Sequence, residues 1–380
     1  PMSVEKKLMF WSLWCLCAWL MPTTPAGATH IVGGELSYTC LGGNEYEIRL
    51  TIFRDCYNGN PQAWFDDPAS IGIFNAQHEL VDQILIPWDE MLNDTLDPVL
   101  SDECFVVPPD VCVHTTTYTT TVVLPPVAGG YVLAYQRCCR NGTISNIVDP
   151  LAVGATYTVT ISEKALLECN SGPQFNAWPP LYICVNEPIW FDQSAYDADG
   201  DSLVYRLCTP LAGASQADPM PQPPAPPPYQ PVPWLDPPYN ENNMLNGLPG
   251  GEPLAIDPHT GLLTGLPNTI GQFVVGICVE EYRDGQLIGT TRRDFQYNVG
   301  LCGQATAAFF APEVVCGSLE VAFDNQSQYA DQFEWIVSQG GVVLGTSADP
   351  QPVWSFPDTG WYEVTLIASS GMACADTFVR

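Results

Sequence analysis

The sequence predicts an all-β protein built from tandem antiparallel β-sandwiches. Short stretches in which apolar and polar residues alternate recur along the chain, and such alternation is typical of strands with one buried face. The 31 glycines and 36 prolines suit a loop-rich β protein better than a helical one. The hydrophobic content of 46% supplies enough apolar material for packed cores and argues against global disorder.

The N-terminus has the features of a secretion signal. Two lysines precede an apolar run from Leu8 to Met21, and a small-x-small cleavage pattern ends at Ala28. This run is shorter than the roughly 20 residues that span a bilayer, although a retained membrane anchor is the alternative. We therefore expect residues 1–28 to be a signal peptide, the mature chain to begin at Thr29, and that chain to be secreted.

The cysteines agree with export. Of the 15 cysteines, two lie in the predicted signal, which leaves an odd number in the mature chain. None forms a C-x-x-C pair, and scattered cysteines in an exported protein indicate disulfides. Cys138 and Cys139 are adjacent, and we expect them to pair with two different partners because a bond between neighbours strains the geometry.

Residues 29–165 form the first predicted unit, an N-terminal β-sandwich. Its strand candidates alternate or are rich in β-prone residues: Glu45 to Ile52, Val113 to Leu124, Tyr131 to Arg137 and Ala155 to Ser162. Short helical turns are expected at Pro87 to Leu92 and Glu163 to Leu167. Cys104 with Cys112 is a pairing that we expect within this unit.

Residues 166–301 form a second predicted β unit, with alternating stretches at Leu203 to Leu207, Phe273 to Val279 and Phe295 to Val299. Residues 219–238 interrupt it with 11 prolines in 20 positions. Proline cannot donate to a sheet ladder, so this segment is predicted to be an extended excursion. We favour a stiff inserted loop over a docking strip for an aromatic groove.

Residues 302–380 form a third predicted unit, of the size of a small immunoglobulin-like sandwich. Apolar residues alternate at Leu319 to Phe323, Phe333 to Val337 and Tyr362 to Leu366. Cys316 precedes the first of these strands and Cys374 follows the last, so we expect a disulfide between them. Such a bond closes a long loop and restricts the unfolded chain.

Charge and motifs exclude several functions. With 12 basic against 42 acidic residues and a net charge of −30, the chain is not expected to bind nucleic acid or an anionic membrane surface. No His-Glu-x-x-His pattern, G-x-S-x-G elbow or phosphate loop is present, so we expect a non-enzymatic protein. A pair of acids could serve glycoside hydrolysis without a local motif, but nothing selects such a pair.

The tryptophans allow two interpretations. Trp190, Trp335 and Trp361 fall on or beside alternating stretches, which predicts that they belong to sandwich cores. The alternative is that some of the tryptophans form a platform on which sugar rings stack.

The best candidate for a site is Asp197-Ala-Asp199-Gly-Asp201. Carboxylates at alternate positions around a glycine turn converge on a hard cation, and Ca²⁺ takes six to eight oxygen ligands. Further oxygens would come from Glu280, Glu281 or Asp192. The alternative is an Asp/Gly turn before a strand, in which the side chains accept hydrogen bonds from backbone N–H groups.

Three groups of residues resemble known families. His30 to Tyr38, Arg54-Asp55-Cys56 and Arg137 to Asn141 resemble the N-terminus of large exported PKD-containing surface proteins of Bacteroidetes, many of them in the gliding-motility and type IX secretion repertoire. Asp197 to Tyr205, Ile256 to Thr264 and Glu280 to Gly285 are similar to cadherin-like, putative-immunoglobulin repeats of bacterial adhesins. Phe323 to Ser327, Phe333-Glu334-Trp335 and Asp358 to Leu366 resemble a PKD domain, although Ile336-Val337-Ser338 replaces its usual Asp-Phe-Gly-Asp turn.

The resemblance implies a location on the bacterial cell surface, outside the outer membrane. It implies a cadherin-like or immunoglobulin-like fold for residues 166–301 and a PKD fold for 302–380, with the PKD domain truncated at Arg380. The expected function is the N-terminal stalk or adhesive part of a larger surface protein that binds an extracellular protein or a glycan. The alternative is a carbohydrate-binding accessory region of a secreted hydrolase whose catalytic domain lies outside this chain.

Overall fold

The computed structural model describes residues 31–57, 59, 64–96, 111–303, 305–369 and 375–380. The predicted signal peptide at residues 1–28, Cys104 and Cys374 lie outside these ranges. The described chain is almost entirely β, which confirms the predicted fold class. Its one α-helix, α1 (Glu163–Leu167), and the 3₁₀ turn Glu90–Leu92 lie where short helical turns are predicted. No described helix is long and apolar enough to cross a membrane.

Described strands of both the first and the second predicted unit form one large sheet of 12 strands. The strands up to α1 are β1 (Ile31–Gly42), β2 (Glu45–Asp55), β3 (Ala69–Asn75), β4 (Leu80–Ile86), β5 (Asp94–Thr95), β6 (Val113–Val123), β7 (Tyr131–Arg137) and β8 (Ala155–Ile161). Those that follow are β9 (Gln174–Phe175), β10 (Tyr182–Cys184), β11 (Ile189–Asp192), β12 (Ala195–Tyr196), β13 (Ser202–Leu207), β14 (Glu252–Ile256), β15 (Leu262–Leu266), β16 (Gly271–Arg283) and β17 (Gln286–Gly300).

The long strand β17 joins the two predicted units. It pairs antiparallel with β16 along its length, with β8 at residues 289–291 and with β1 at residues 293–295. The predicted boundary at residues 165/166 therefore falls between segments that share hydrogen-bonded strands. The division of the chain into separate domains stays a prediction.

The central strands carry a hydrophobic core on each face. On β1, Leu36 and Tyr38 belong to the core that β3, β7 and β8 complete. On the opposite face, Phe53 and Phe295 belong to a second core, which also contains residues of a three-stranded sheet of order β11-β15-β14. Burial of apolar surface on both faces of the same strands stabilises the two regions together.

The proline-rich excursion packs against the first unit. The backbone oxygen of Pro219 accepts hydrogen bonds from Cys138 N and from the Arg137 side chain. Val232 is buried in a small apolar cluster with Ile144 and Ile147. This packing fits the favoured interpretation of a fixed inserted loop.

Packing of a later segment also buries the polar face of one predicted strand. Thr156 and Thr158 lie on the polar face of the alternation in β8, yet both are buried. Thr156 Oγ1 donates a hydrogen bond to the backbone oxygen of Ala212, just before the proline-rich excursion. The alternation therefore identifies the strand correctly, but a later segment covers the face that carries its polar residues.

The third unit contains a core of its own around Trp335. Its strands are β18 (Phe309–Phe310), β19 (Glu320–Ala322), β20 (Asp324–Asn325), β21 (Phe333–Gln339), β22 (Val342–Ser347), β23 (Val353–Ser355), β24 (Glu363–Ala368) and β25 (Asp376–Val379). Trp335 is fully buried and stacks on Phe323 with ring centroids 5.3 Å apart. Trp190 and Trp361 are exposed, so their assignment to cores was wrong: Trp190 lies on the exposed face of β11, and Trp361 precedes β24.

Five disulfides form among the described cysteines: Cys40–Cys169, Cys56–Cys112, Cys138–Cys139, Cys184–Cys302 and Cys208–Cys278. The prediction that Cys138 and Cys139 take different partners was wrong, because they are bonded to each other, with Cα atoms 3.0 Å apart. Cys104 with Cys112 was also wrong, because Cys112 is bonded to Cys56. Cys316 is exposed and unpaired among the described cysteines, and its predicted partner Cys374 lies outside them.

Candidate metal site

The predicted acidic motif lies in the loop between β12 and β13, and it forms the Asp/Gly turn that was the alternative to a metal site. Asp197 Oδ1 accepts hydrogen bonds from the backbone N–H groups of Asp199 at 3.0 Å and Asp201 at 2.8 Å. Gly200 adopts a φ of +80°, which favours glycine at this position. One oxygen of Asp197 is therefore used to shape the turn.

The second oxygen of Asp197 has a different environment. Asp197 Oδ2 is buried and accepts no hydrogen bond from any described residue. One carboxylate oxygen each from Asp197, Asp201 and Glu281 lies within 4.8 Å of the other two. Oxygens about 2.4 Å from one Ca²⁺ lie at most about 4.8 Å apart, so three such groups are placed to share an ion.

Asp199 does not join this group. Its side chain is exposed, and Oδ2 accepts a hydrogen bond of 2.7 Å from the backbone N–H of Ser171. The predicted trio of Asp197, Asp199 and Asp201 is therefore corrected, because alternate positions on this turn do not all face inward. Glu281 takes the third place.

Glu281 is the most buried member of the site, with an exposed fraction of 0%. It lies near the end of β16, where Oε1 accepts a hydrogen bond of 2.6 Å from Asn170 Nδ2. Its other oxygen, Oε2, is buried and accepts none from the described residues. A Cβ at Gly289 of β17 would lie 2.6 Å from Oε2, so the absence of a side chain there gives this carboxylate its room.

The charges at the site do not balance. Arg283 Nε donates to Asp201 Oδ1 at 2.8 Å, and this bond holds the pKa of Asp201 below its ordinary value. With all three carboxylates ionised, one guanidinium would leave two negative charges around a buried group. Burial of unbalanced charge is costly, and a divalent cation would neutralise it.

Burial also changes the protonation of Glu281. It raises the pKa of this carboxyl from an ordinary 4.5 to about 9; the hydrogen bond from Asn170 opposes the rise, and Asp197 and Asp201 add to it. The carboxyl therefore holds a proton at neutral pH when no cation binds. A cation and this proton are alternative ways to compensate the same charge.

The other predicted oxygen donors are used elsewhere. Glu280 accepts a hydrogen bond of 2.6 Å from Arg206, and Asp192 accepts one of 2.8 Å from the backbone N–H of Ser194. A second cluster, Cys56, Cys112 and His114, has metal-ligand types, but its two cysteines are bonded to each other and offer no thiolate.

The donor set suits a hard cation. The three converging groups are all carboxylates, which Ca²⁺ prefers, and two of their oxygens, Asp197 Oδ2 and Glu281 Oε2, accept no hydrogen bond from the described residues. Tyr38 of β1 contributes a hydroxyl that accepts a hydrogen bond from Asn170 at 3.2 Å. The site thus brings together β1, the loop after α1, the β12–β13 loop and β16.

The sequence was compared with protein-family models and with curated proteins. It matches no known protein-family model and no curated protein. The resemblance to PKD-containing surface proteins and to cadherin-like repeats therefore stays a prediction.

Proposed function

We propose that this chain is a non-enzymatic, secreted β scaffold of the bacterial cell surface, stiffened by Ca²⁺ bound at Asp197, Asp201 and Glu281. It would serve as the N-terminal stalk or adhesive part of a larger surface protein of the gliding-motility or type IX secretion repertoire. One observation carries the proposal: the acidic site lies where segments of both predicted units meet, in a region closed by disulfides.

The disulfides support a role outside the cell. Cys40–Cys169 and Cys184–Cys302 join positions 129 and 118 residues apart, and such bonds persist in oxidising compartments. Cys40–Cys169 fixes β1 to the residue directly before Asn170, which holds Glu281. A cation at the site would add a second link between the same segments.

The calcium concentration outside cells suits this role. Extracellular calcium modules bind with Kd of about 10⁻⁴ to 10⁻³ M, which matches millimolar calcium outside cells. At a hundredfold excess over Kd an ion stabilises the folded state by roughly 2.7 kcal/mol, and a weak site at millimolar calcium gives less.

Limited proteolysis of the purified chain tests the scaffold. Calcium is expected to slow cleavage near residues 168–171 and 197–201 relative to EDTA, and Glu281→Gln is expected to abolish this difference. Asp199→Asn, which leaves the three converging carboxylates in place, is the matched control. Cleavage that is equally fast with and without calcium would contradict a calcium-stiffened scaffold.

Surface proteolysis of intact source cells tests the location. An antibody against residues 111–303 should detect a chain that external protease removes while a cytoplasmic marker survives. A chain that resists protease until the cells are lysed would contradict the proposed surface role.

A further inference from the structure

A second site lies on the opposite face of β1 from the metal site. Along this strand Leu36 and Tyr38 point into the first core, whereas Glu35 and Ser37 line a pocket of about 290 Å³. Its floor follows a row across four neighbouring strands, in which Glu35 of β1 is paired with Arg293 of β17 and with Thr51 of β2. Thr51 is paired in turn with Thr117 of β6.

The segment 173–178 forms the wall of this pocket and is held in place. Gln174 Nε2 donates to Thr39 Oγ1 at 3.0 Å, and β9 pairs with β12. Trp178 packs edge-on against Phe53, with ring centroids 5.7 Å apart, and is 52% exposed. An aromatic side chain is thus fixed beside the polar floor before any ligand binds.

The floor contains a hydroxyl without a partner. Thr291 is 2% exposed, lines the pocket, and its Oγ1 forms no hydrogen bond with any described residue. A buried hydroxyl without a partner costs free energy, which a ligand that supplies a hydrogen bond would recover.

The charges of the pocket are balanced. Arg293 Nε donates to Glu35 at 2.5 Å, and its guanidinium lies 3.8 Å from the ring centre of Phe175. At the rim, Arg49 pairs with Glu47 at 3.1 Å. No net charge is left to attract an ion, and the chain as a whole carries −30, which disfavours an anionic ligand.

We propose that this pocket binds one ring of a neutral saccharide. A sugar ring presents an apolar face to an aromatic side chain and hydroxyls that both donate and accept, which matches Trp178 beside Thr291 and the Arg293–Glu35 pair. An apolar ligand would leave the Thr291 hydroxyl without a partner. A peptide added as a strand needs a free sheet edge, whereas Glu35 of β1 and Thr51 of β2 are each paired on both sides at this pocket.

The size of the pocket limits the ligand. Pockets for small molecules hold about 300–1,000 Å³, and this one lies at the lower limit, which suits a single ring rather than an enclosed chain. Trp178 is half exposed, which leaves room for a longer glycan to continue from the bound ring into solvent. The inference goes beyond the proposed scaffold and does not depend on calcium.

Saturation-transfer NMR on the full chain tests the proposal with glucose, galactose, mannose, N-acetylglucosamine and the β-1,4 disaccharides of glucose and N-acetylglucosamine. At least one of these is expected to bind. Trp178→Ala should weaken that binding at least about tenfold, and Thr291→Val, which keeps the side-chain shape, about three- to tenfold. Trp190→Ala, which removes another exposed tryptophan, should leave it unchanged, as should EDTA or Glu281→Gln.

Three results would overturn the proposal. The first is that the folded wild-type chain binds none of these saccharides. The second is that binding persists unchanged in both Trp178→Ala and Thr291→Val. The third is that galacturonic acid binds and the neutral sugars do not. Thermal melting of each variant verifies that a loss of binding is not a loss of fold.

Discussion

Asn170 donates a hydrogen bond of 2.6 Å from Nδ2 to Oε1 of Glu281, and this contact joins the loop after α1 to the end of β16. The two residues are 111 positions apart and both are fully buried. The same amide group also donates to the Tyr38 hydroxyl. Asn170 therefore positions the most buried carboxylate of the proposed metal site against two strands.

Replacing Asn170 by alanine should lower the free energy of unfolding by about 3 kcal/mol, because two buried acceptors lose their donor. Urea denaturation of the calcium-free chain measures this loss. Asn176→Ala is the matched control, since Asn176 bonds the Ser194 hydroxyl at an exposed position, and it should cost less than about 1 kcal/mol. Equal losses in the two variants would contradict a positioning role for Asn170.

The stability of the calcium-free chain should fall as pH rises from about 5 to 9. The pKa of Glu281 is raised from 4.5 to about 9 by burial, so in this window the folded chain holds a proton that the unfolded chain has lost. The stabilisation is complete below pH 4.5 and is lost as pH rises through 9. Asp201, whose pKa is lowered, titrates below this window.

Melting temperatures measured in EDTA between pH 5 and pH 9 test this dependence. Glu281→Gln cannot ionise, so its melting temperature should decline less over this range. With saturating calcium the wild type should also lose its decline, because the ion replaces the proton. A Glu281→Gln slope as steep as that of the wild type would assign the titration to another group.

Replacing Cys40 and Cys169 by serine should destabilise the chain by about 5 kcal/mol in the chain-entropy account of a 129-residue loop. It should also weaken calcium binding, because Cys169 directly precedes Asn170. The control pair Cys56 and Cys112 closes a loop of 56 residues and should cost about 4 kcal/mol. Only the first pair should shift the calcium midpoint of thermal melting; equal shifts would contradict the link to the site.

The sequence was sufficient to predict most strands, but it was insufficient to predict which strands pair with each other. Alternation is a pattern among residues that are neighbours in sequence, so it is sufficient to predict strands such as β2 and β8. It carries no information on pairings such as that of Glu35 with Arg293, which lie 258 residues apart. For the same reason the burial of Thr156 under residues of a later segment left no local signal.

The acidic site was predicted in part. The motif identified the turn, and Glu281 was one of three further donors that the sequence suggested. The direction of each side chain decides which carboxylates join the site. Glu280 accepts from Arg206 instead, and Asp199 accepts from the backbone of Ser171. The pocket at Trp178 was not predicted as a site, because its floor is assembled from β1, β2, β6 and β17.

Isothermal titration of calcium into the metal-free chain measures binding at Asp197, Asp201 and Glu281 directly. One ion is expected to bind per chain with Kd of about 10⁻⁴ to 10⁻³ M. This binding should be lost in Glu281→Gln and in Asp197→Asn and retained in Asp199→Asn. At pH 7 binding should release a proton from Glu281, so the measured heat should change with the ionisation enthalpy of the buffer. Absence of binding in the wild type, or binding that survives Glu281→Gln and disappears in Asp199→Asn, would contradict the site described above.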